Sequence, residues 1–132
     1  MESNEASKKI LDSIYLAAKY SRREEMEGVA SELTDLGYDV TSSWVYGGEE
    51  GKTKEEIALL DKDDLFGADA VISFTEPHGT YHPGGGRHVE FGMGYAMGMR
   101  LILIGPRENV FHYLPEVEQY DSLDDFLEYE RS

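Results

Sequence analysis

Gly84-Gly85-Gly86-Arg87-His88-Val89-Glu90-Phe91-Gly92-Met93-Gly94-Tyr95-Ala96-Met97-Gly98 lies between two apolar runs, Ala70-Val71-Ile72-Ser73-Phe74 and Leu101-Ile102-Leu103-Ile104. Two short apolar runs joined by a helix-length segment read as a strand–helix–strand unit. The triple glycine is then the loop entering the helix, and Glu90 falls in the first turn or two. A carboxylate there is expected to be held ionised by the positive end of the helix dipole. In an open α/β sheet, ligands bind beyond the strand ends that feed the helices. Glu90 is therefore an anion at the functional edge of the fold. Glycines 92, 94 and 98 are poor helix formers, and their expected use is close approach of the helix to the sheet or a partner.

The rest of the chain extends this pattern. Residues 1–11 are polar and expected to be frayed or a short turn. Ser13-Ile14-Tyr15-Leu16-Ala17-Ala18 is a first buried strand. Ser21 is placed to cap the next helix, with Glu24 completing a capping box. That helix carries Met26, Val29, Ala30, Leu33 and Leu36 at core spacing, and Gly37 ends it. Tyr38 to Ser42 is a second strand, and Ser43 to Lys54 is expected to be a mobile loop. Thr53 starts a helix running to about Phe66, with Ile57, Leu60 and Leu65 on one face. Asp69 to Thr75 is the third strand, and Glu76 to Gly86 a long loop. Val117 to Tyr120 is a short fifth strand, and a terminal helix begins within Asp121 to Leu127. The alternation predicts an α/β fold: a flavodoxin-like (Rossmann-like), doubly wound parallel sheet of four to five strands in the order 2-1-3-4-5. It is expected as a single three-layer domain over residues 1–132. The segments after strands 1 and 3 then converge on one crevice.

Composition narrows the function. The chain has 132 residues and a formal net charge of −15. Such a surface repels nucleic acid and anionic membranes. No apolar run approaches a membrane span, and a cytoplasmic setting is expected. The absence of cysteine excludes disulfides and thiolate chemistry. An anionic small molecule would need a local cluster of positive groups, which makes the few Lys and Arg informative.

Glu90 has a plainer reading as a solvated helix residue, but the glycine loop and its place at the sheet edge favour function. The glycines match neither the dinucleotide fingerprint nor the P-loop. Tyr15 is a core aromatic at a strand end whose hydroxyl wants a partner; a carboxylate across the crevice would serve. Asp61 lies on the helix before strand 3, toward the crevice. Asp63 and Asp64 read as a solvated acidic face, and Asp69 as structural. Arg22 and Arg23 either balance neighbouring glutamates or meet a phosphate at a helix N-terminus. With Lys19 and the facing Arg87, they form a candidate phosphate site. His78, His82 and His88 fit no standard zinc spacing and read as loop histidines; no metal or cofactor is expected. Trp44 is either a core residue or a stacking surface for a base.

Three segments together resemble a known family: Ile14-Tyr15-Leu16-Ala17; Leu60-Asp61 with Ala68-Asp69-Ala70-Val71-Ile72; and Gly86-Arg87-His88-Val89-Glu90-Phe91-Gly92 with Ala96-Met97-Gly98. The resemblance is to the nucleoside 2-deoxyribosyltransferase family, in order over most of the chain. The wider group includes 2′-deoxynucleoside 5′-monophosphate N-hydrolases and CMP and hydroxymethyl-CMP hydrolases, and the His-Val-Glu-x-Gly stretch resembles the last most. The resemblance implies a flavodoxin-like fold and a homodimer or larger oligomer in which a neighbour completes the site. It also implies Glu90 as nucleophile, Asp61 as the helix aspartate and Tyr15 as the strand-1 tyrosine.

Two departures tilt the reading from nucleosides toward nucleotides. Gly84 stands where the transferases carry an aspartate, and the transferases lack the Arg22-Arg23 pair. The expected activity is cleavage of the N-glycosidic bond of a (deoxy)nucleoside 5′-monophosphate, releasing free base. Glu90, Asp61 and Tyr15 are its catalytic residues. Lys19, Arg22, Arg23, Gly85, Gly86, Arg87 and Trp44 would bind substrate. The alternatives are a 2-deoxyribosyltransferase, an NAD glycohydrolase, and a non-catalytic nucleotide or ADP-ribose-binding module.

Overall fold

The computed structural model describes residues 12–79 and 85–132. The expectations for residues 1–11, His82 and Gly84 lie outside the described residues. β1 (Ser13–Ala17), β2 (Asp39–Val40), β3 (Ala70–Phe74), β4 (Arg100–Ile104) and β5 (Glu118–Tyr120) form one sheet in the order β2-β1-β3-β4-β5. Every pairing is parallel. α1 (Arg23–Asp35), α2 (Lys54–Phe66), α3 (Gly86–Ala96) and α4 (Leu123–Arg131) connect or follow the strands. This is the order expected from the alternation. Among the described residues no helix is long and apolar enough to cross a membrane.

β3 and β4 are buried at all five positions. A central parallel strand is covered on both faces, so its sequence is a continuous apolar run. Ala17 pairs with Ser73 and Phe74 with Ile104, which sets the carboxyl edge of the sheet in register. Asp69 is structural, as expected: its carboxylate accepts from the N–H groups of Asp12 (3.3 Å) and Ser13 (3.2 Å), tying β1 to the start of β3. At the same end of β4, the Arg100 guanidinium donates to Glu118 (2.6 and 2.8 Å) and to Glu130 (2.7 Å) and so clips α4 to the sheet.

Several local expectations change. Ser21 does not cap α1, because a 3-10 turn at Tyr20–Arg22 absorbs it; the N-cap is Arg22, without a side-chain bond. Met26, Ala30 and Leu33 are buried, but Leu36 is exposed because the helix has already ended. Gly37 has φ +100°, its N–H bonds Thr34 O, and that of Tyr38 bonds Leu33 O, a Schellman end. β2 keeps only two residues, since the Ser42 hydroxyl accepts from Leu16 N–H and diverts the chain from the ladder. The start of the expected mobile loop is instead a 3-10 turn at Ser43–Tyr46 with Trp44 and Val45 buried. Thr53 and Glu56 form a capping box at the start of α2, on which Leu65 is buried but Leu60 exposed.

α3 packs on β3, β4 and α2. Gly94 is where it meets the sheet: a Cβ there would lie 2.8 Å from Val71 Cγ2 and 3.3 Å from Leu101 Cδ2. Gly92 has no such neighbour and lies on the outer face beside exposed Val89 and Met93.

Candidate active site

The segment leaving the carboxyl end of β1 and the start of α3 border a cavity of about 460 Å³. Lys19, Tyr20 and Ser21 enter it from the segment after β1, and Trp44 and Glu49 from the segment after β2. Asp61 comes from α2, and Gly85, Gly86, Arg87 and Glu90 from the start of α3. Of the residues singled out in the sequence, this brings together Glu90, Asp61, Lys19, Gly85, Gly86, Arg87 and Trp44.

Tyr15 lies mid-strand in β1, not at its end, and is fully buried. Its hydroxyl donates to Glu90 Oε2 at 2.6 Å. Burial pushes the phenol well above its usual range, and the Glu90 charge adds to this, so Tyr15 remains a donor. The expectation that Glu90 is held ionised by the helix dipole is overturned. Burial raises its carboxyl to about 7; the bond from Tyr15 opposes that rise and Asp61 adds to it. Desolvation of a charged group outweighs a fractional dipole charge here. Asp61 is pushed up to about 6 by burial, then by Glu49 and Asp64. Two carboxyl groups of one cavity thus titrate near neutrality, a pattern typical of acid–base sites.

Asp64 is not a solvated surface acid. Its Oδ2 accepts from Ser43 N–H (3.0 Å) and Ser43 Oγ (2.6 Å), fixing the turn that carries Trp44. Trp44 is a core residue, the first of the two readings: its indole N–H donates to Leu16 O (2.8 Å), and the residue also walls the cavity.

Arg22 and Arg23 take the first of the two readings and balance neighbouring glutamates, Glu25 and Glu27. Arg22 and Arg23 are not among the residues walling the cavity. Arg22 bonds Glu25 and Glu76 at 2.7 to 2.9 Å, and Arg23 donates to Val45 O at 2.9 Å. Arg87 is buried and bonds both carboxylate oxygens of Glu108, at 2.8 Å to Oε1. Burial pushes the Glu108 carboxyl up, but the bonds from Arg87 and from Glu76 N–H outweigh it and hold it below the usual range. His88 sits in the first turn of α3, with Nε2 3.7 Å from Glu108. Lys19 makes no ion pair among the described residues. The N-cap of α3 is Gly85, which gives its first N–H groups no side-chain acceptor, and Gly85, Gly86 and Arg87 all wall the cavity.

Sequence reasoning missed Glu49, Glu108 and His112. Glu49 is flanked by Gly48 and Glu50, with nothing to single it out. His112 is fully buried; its Nδ1 accepts from Glu108 N–H (2.9 Å), and burial lowers it to about 4, so it stays neutral and holds the Glu108 loop.

No protein-family model and no curated protein matches the chain. Solved structures do. A CMP N-glycosidase of Clostridium botulinum shares 23% identity at a TM-score of 0.64, over 91% of this chain and 98% of its own. A 2-deoxyribosyltransferase of Bacillus psychrosaccharolyticus shares 21% at 0.66, over 86% and 89%. A conserved protein of Enterococcus faecalis shares 15% at 0.63, over 93% and 100%. At these identities the likeness establishes the fold: the chain is a single flavodoxin-like α/β domain, built as a CMP N-glycosidase and a 2-deoxyribosyltransferase are built.

Proposed function

We propose that the protein cleaves the N-glycosidic bond of a (deoxy)nucleoside 5′-monophosphate, with Glu90 as nucleophile. The observation that carries this reading is the Tyr15–Glu90 hydrogen bond in a nucleotide-sized cavity that Asp61 also walls. The shared fold of a CMP N-glycosidase and a 2-deoxyribosyltransferase supports it.

The chemistry follows from the two carboxyl groups. A Glu90 oxygen attacks the anomeric carbon as the bond to the base nitrogen breaks, and the bonding pair leaves with the base. Asp61, raised to about 6 and so partly protonated near neutrality, gives its proton to that nitrogen. Water then attacks the anomeric carbon, Asp61 takes its proton, and Glu90 is released, as in a retaining glycosidase. Tyr15 fixes the Glu90 rotamer and steadies its ionised form. A second base in place of water would give transfer, a reading favoured by the likeness to the 2-deoxyribosyltransferase.

The phosphate is met by Lys19 and the uncapped N-terminus of α3 at Gly85 and Gly86. Arg22 and Arg87 hold this edge through Glu76 and Glu108.

Incubation with NMPs, dNMPs, nucleosides and NAD, followed by chromatography of free base, tests the reading. Base release from monophosphates, well above that from nucleosides and NAD, is expected. Release from nucleosides only when a second base is present would establish transfer, and tight binding without release a binding module.

A further inference from the structure

We propose that Glu49 selects the leaving base, favouring bases that carry an exocyclic amine over those with a carbonyl at the same ring position. The inference rests on the nucleotide reading of the cavity and adds the substrate class.

Glu49 walls the cavity from the loop after β2, beside the Trp44 turn. It is half-buried, and among the described residues its carboxylate has no hydrogen bond or ion pair. The loop itself is closed by Lys52 N–H on Glu49 O, a backbone bond that leaves the side chain available. A partly desolvated carboxylate without a partner is costly. A ligand that donates hydrogen bonds to it removes that cost.

The three cavity carboxylates stand in sequence. β2 is the edge strand, so the segment after it that carries Glu49 lies on the side of the cavity away from α3 and Glu90, and α2, which carries Asp61, touches both α3 and the Ser43–Tyr46 turn. With the anomeric carbon at Glu90 and the leaving nitrogen near Asp61, the next group along is the far edge of the base, and it meets Glu49. Trp44, on the same side, offers an indole for that base to lie against.

An ionised carboxylate only accepts hydrogen bonds. The amine of cytosine or adenine donates to it. The carbonyl of uracil or hypoxanthine in the same place sets two acceptors against each other and leaves the carboxylate unpaired. Sites built around a buried hydrogen bond reject the analogue that cannot make it far more strongly than apolar pockets reject a changed shape.

The test is equilibrium binding to the Glu90→Gln protein, read by the fluorescence of Trp44, the single tryptophan. CMP against UMP and AMP against IMP each compare an amine with a carbonyl at one ring position. The amino member of at least one pair should bind about tenfold tighter or more, as a charge-assisted hydrogen bond allows. Adding Glu49→Gln, whose amide both donates and accepts, should bring that pair to within about threefold. Glu49→Ala, which also removes the charge, should close the gap equally. An absent gap, a gap that survives both substitutions, or an equal loss for both members of a pair would overturn the proposal. Because turnover plays no part, failure of the catalytic reading shows separately. An amine preference that depends on Glu49, with no base release by the unsubstituted protein, leaves this inference standing and removes the N-glycosidase. Base release without the preference removes this inference alone.

Discussion

Glu90→Gln separates the cost of the catalytic carboxylate from its use. Glutamine keeps the shape and can still accept the bond from the Tyr15 hydroxyl, 2.6 Å from Glu90 Oε2. What it removes is a buried charge. Burial raises the Glu90 carboxyl from 4.5 to about 7, and at roughly 1.4 kcal/mol per unit that is an upper bound of about 3 kcal/mol. The sign follows from proton counting. Between these values the folded protein holds a proton that the unfolded chain has lost, so stability falls as pH rises through this window and is flat above it. The wild type therefore bears the full cost above about pH 7 and little below about pH 4.5, while the glutamine protein bears none. Relaxation around the charge reduces the difference to roughly 1–3 kcal/mol, or about 3–10 °C in Tm for a chain of this size. Melting curves at about pH 5 and pH 8 should show the variant's advantage widening with pH, while base release falls by roughly a thousandfold or more. A Tm gap that is zero or independent of pH would refute the buried-anion argument. Base release within a few-fold of wild type would refute the catalytic one.

Asp61→Asn should lose most base release, while Asp64→Asn should retain most of it and melt lower by about 1 kcal/mol, because its Ser43 contacts brace a turn. A greater activity loss at Asp64 would exchange the two roles. The kcat/KM profile should be bell-shaped with limbs near pH 6 and 7, since Asp61 must be protonated and Glu90 ionised; as the groups are coupled, the limbs belong to the pair. Tyr15→Phe, by removing the bond that lowers Glu90, should move the upper limb to higher pH. Gly94→Ala should cost about 1–3 kcal/mol in urea denaturation, since its Cβ would meet Val71 Cγ2 at 2.8 Å. The exposed apolar stripe of Val89 and Met93 on α3 and Met97 just after it suits a homodimer face; light scattering should show a dimer at micromolar concentration, reduced to monomer by Met93→Arg.

The strand order was legible because it depends on local signals: buried apolar runs, glycine punctuation and helix-length spacers. Glu90 was legible for the same reason, through the glycine loop before it, and so was the need for a carboxylate opposite the Tyr15 hydroxyl. What could not be read depends on distant partners. Arg22 reads as a partner of neighbouring glutamates or of a phosphate, and only the fold shows that β3 ends beside it and delivers Glu76, 54 positions away. Glu49 looks like its neighbour Glu50 until the loop after β2 turns it into the cavity. The Glu90 error has a different source. The helix dipole is visible in sequence, whereas the burial that outweighs it is a property of the packed sheet edge. Leu60 was misplaced because apolar character alone does not say which side of α2 meets the sheet.

The division of charge at this edge bears on how an acidic protein of net charge −15 would present the proposed site for an anion. Arg22 and Arg87 neutralise Glu76 and Glu108, and Glu76 N–H donates to Glu108 at 3.0 Å. The result is a chain of bonds from the start of α1, across the segments after β3 and β4, to the start of α3. Its members carry paired charges, so it adds rigidity and little net potential. On the proposed reading, the positive potential left for a phosphate would come from Lys19 and from the start of α3, whose position that chain of bonds holds. Nearby, burial keeps protons on Glu90 and Asp61 close to neutral pH, so the cavity is less negative when the dianion enters than its three carboxyl groups suggest. On the proposed mechanism the reacting form is the one in which Glu90 has lost its proton to solvent while Asp61 keeps its own, and the group the Glu90 charge then faces is an anomeric carbon becoming positive. An ion pair formed there in a desolvated site is worth more than the same pair in water, so on this mechanism the burial that destabilises the resting protein would stabilise the transition state.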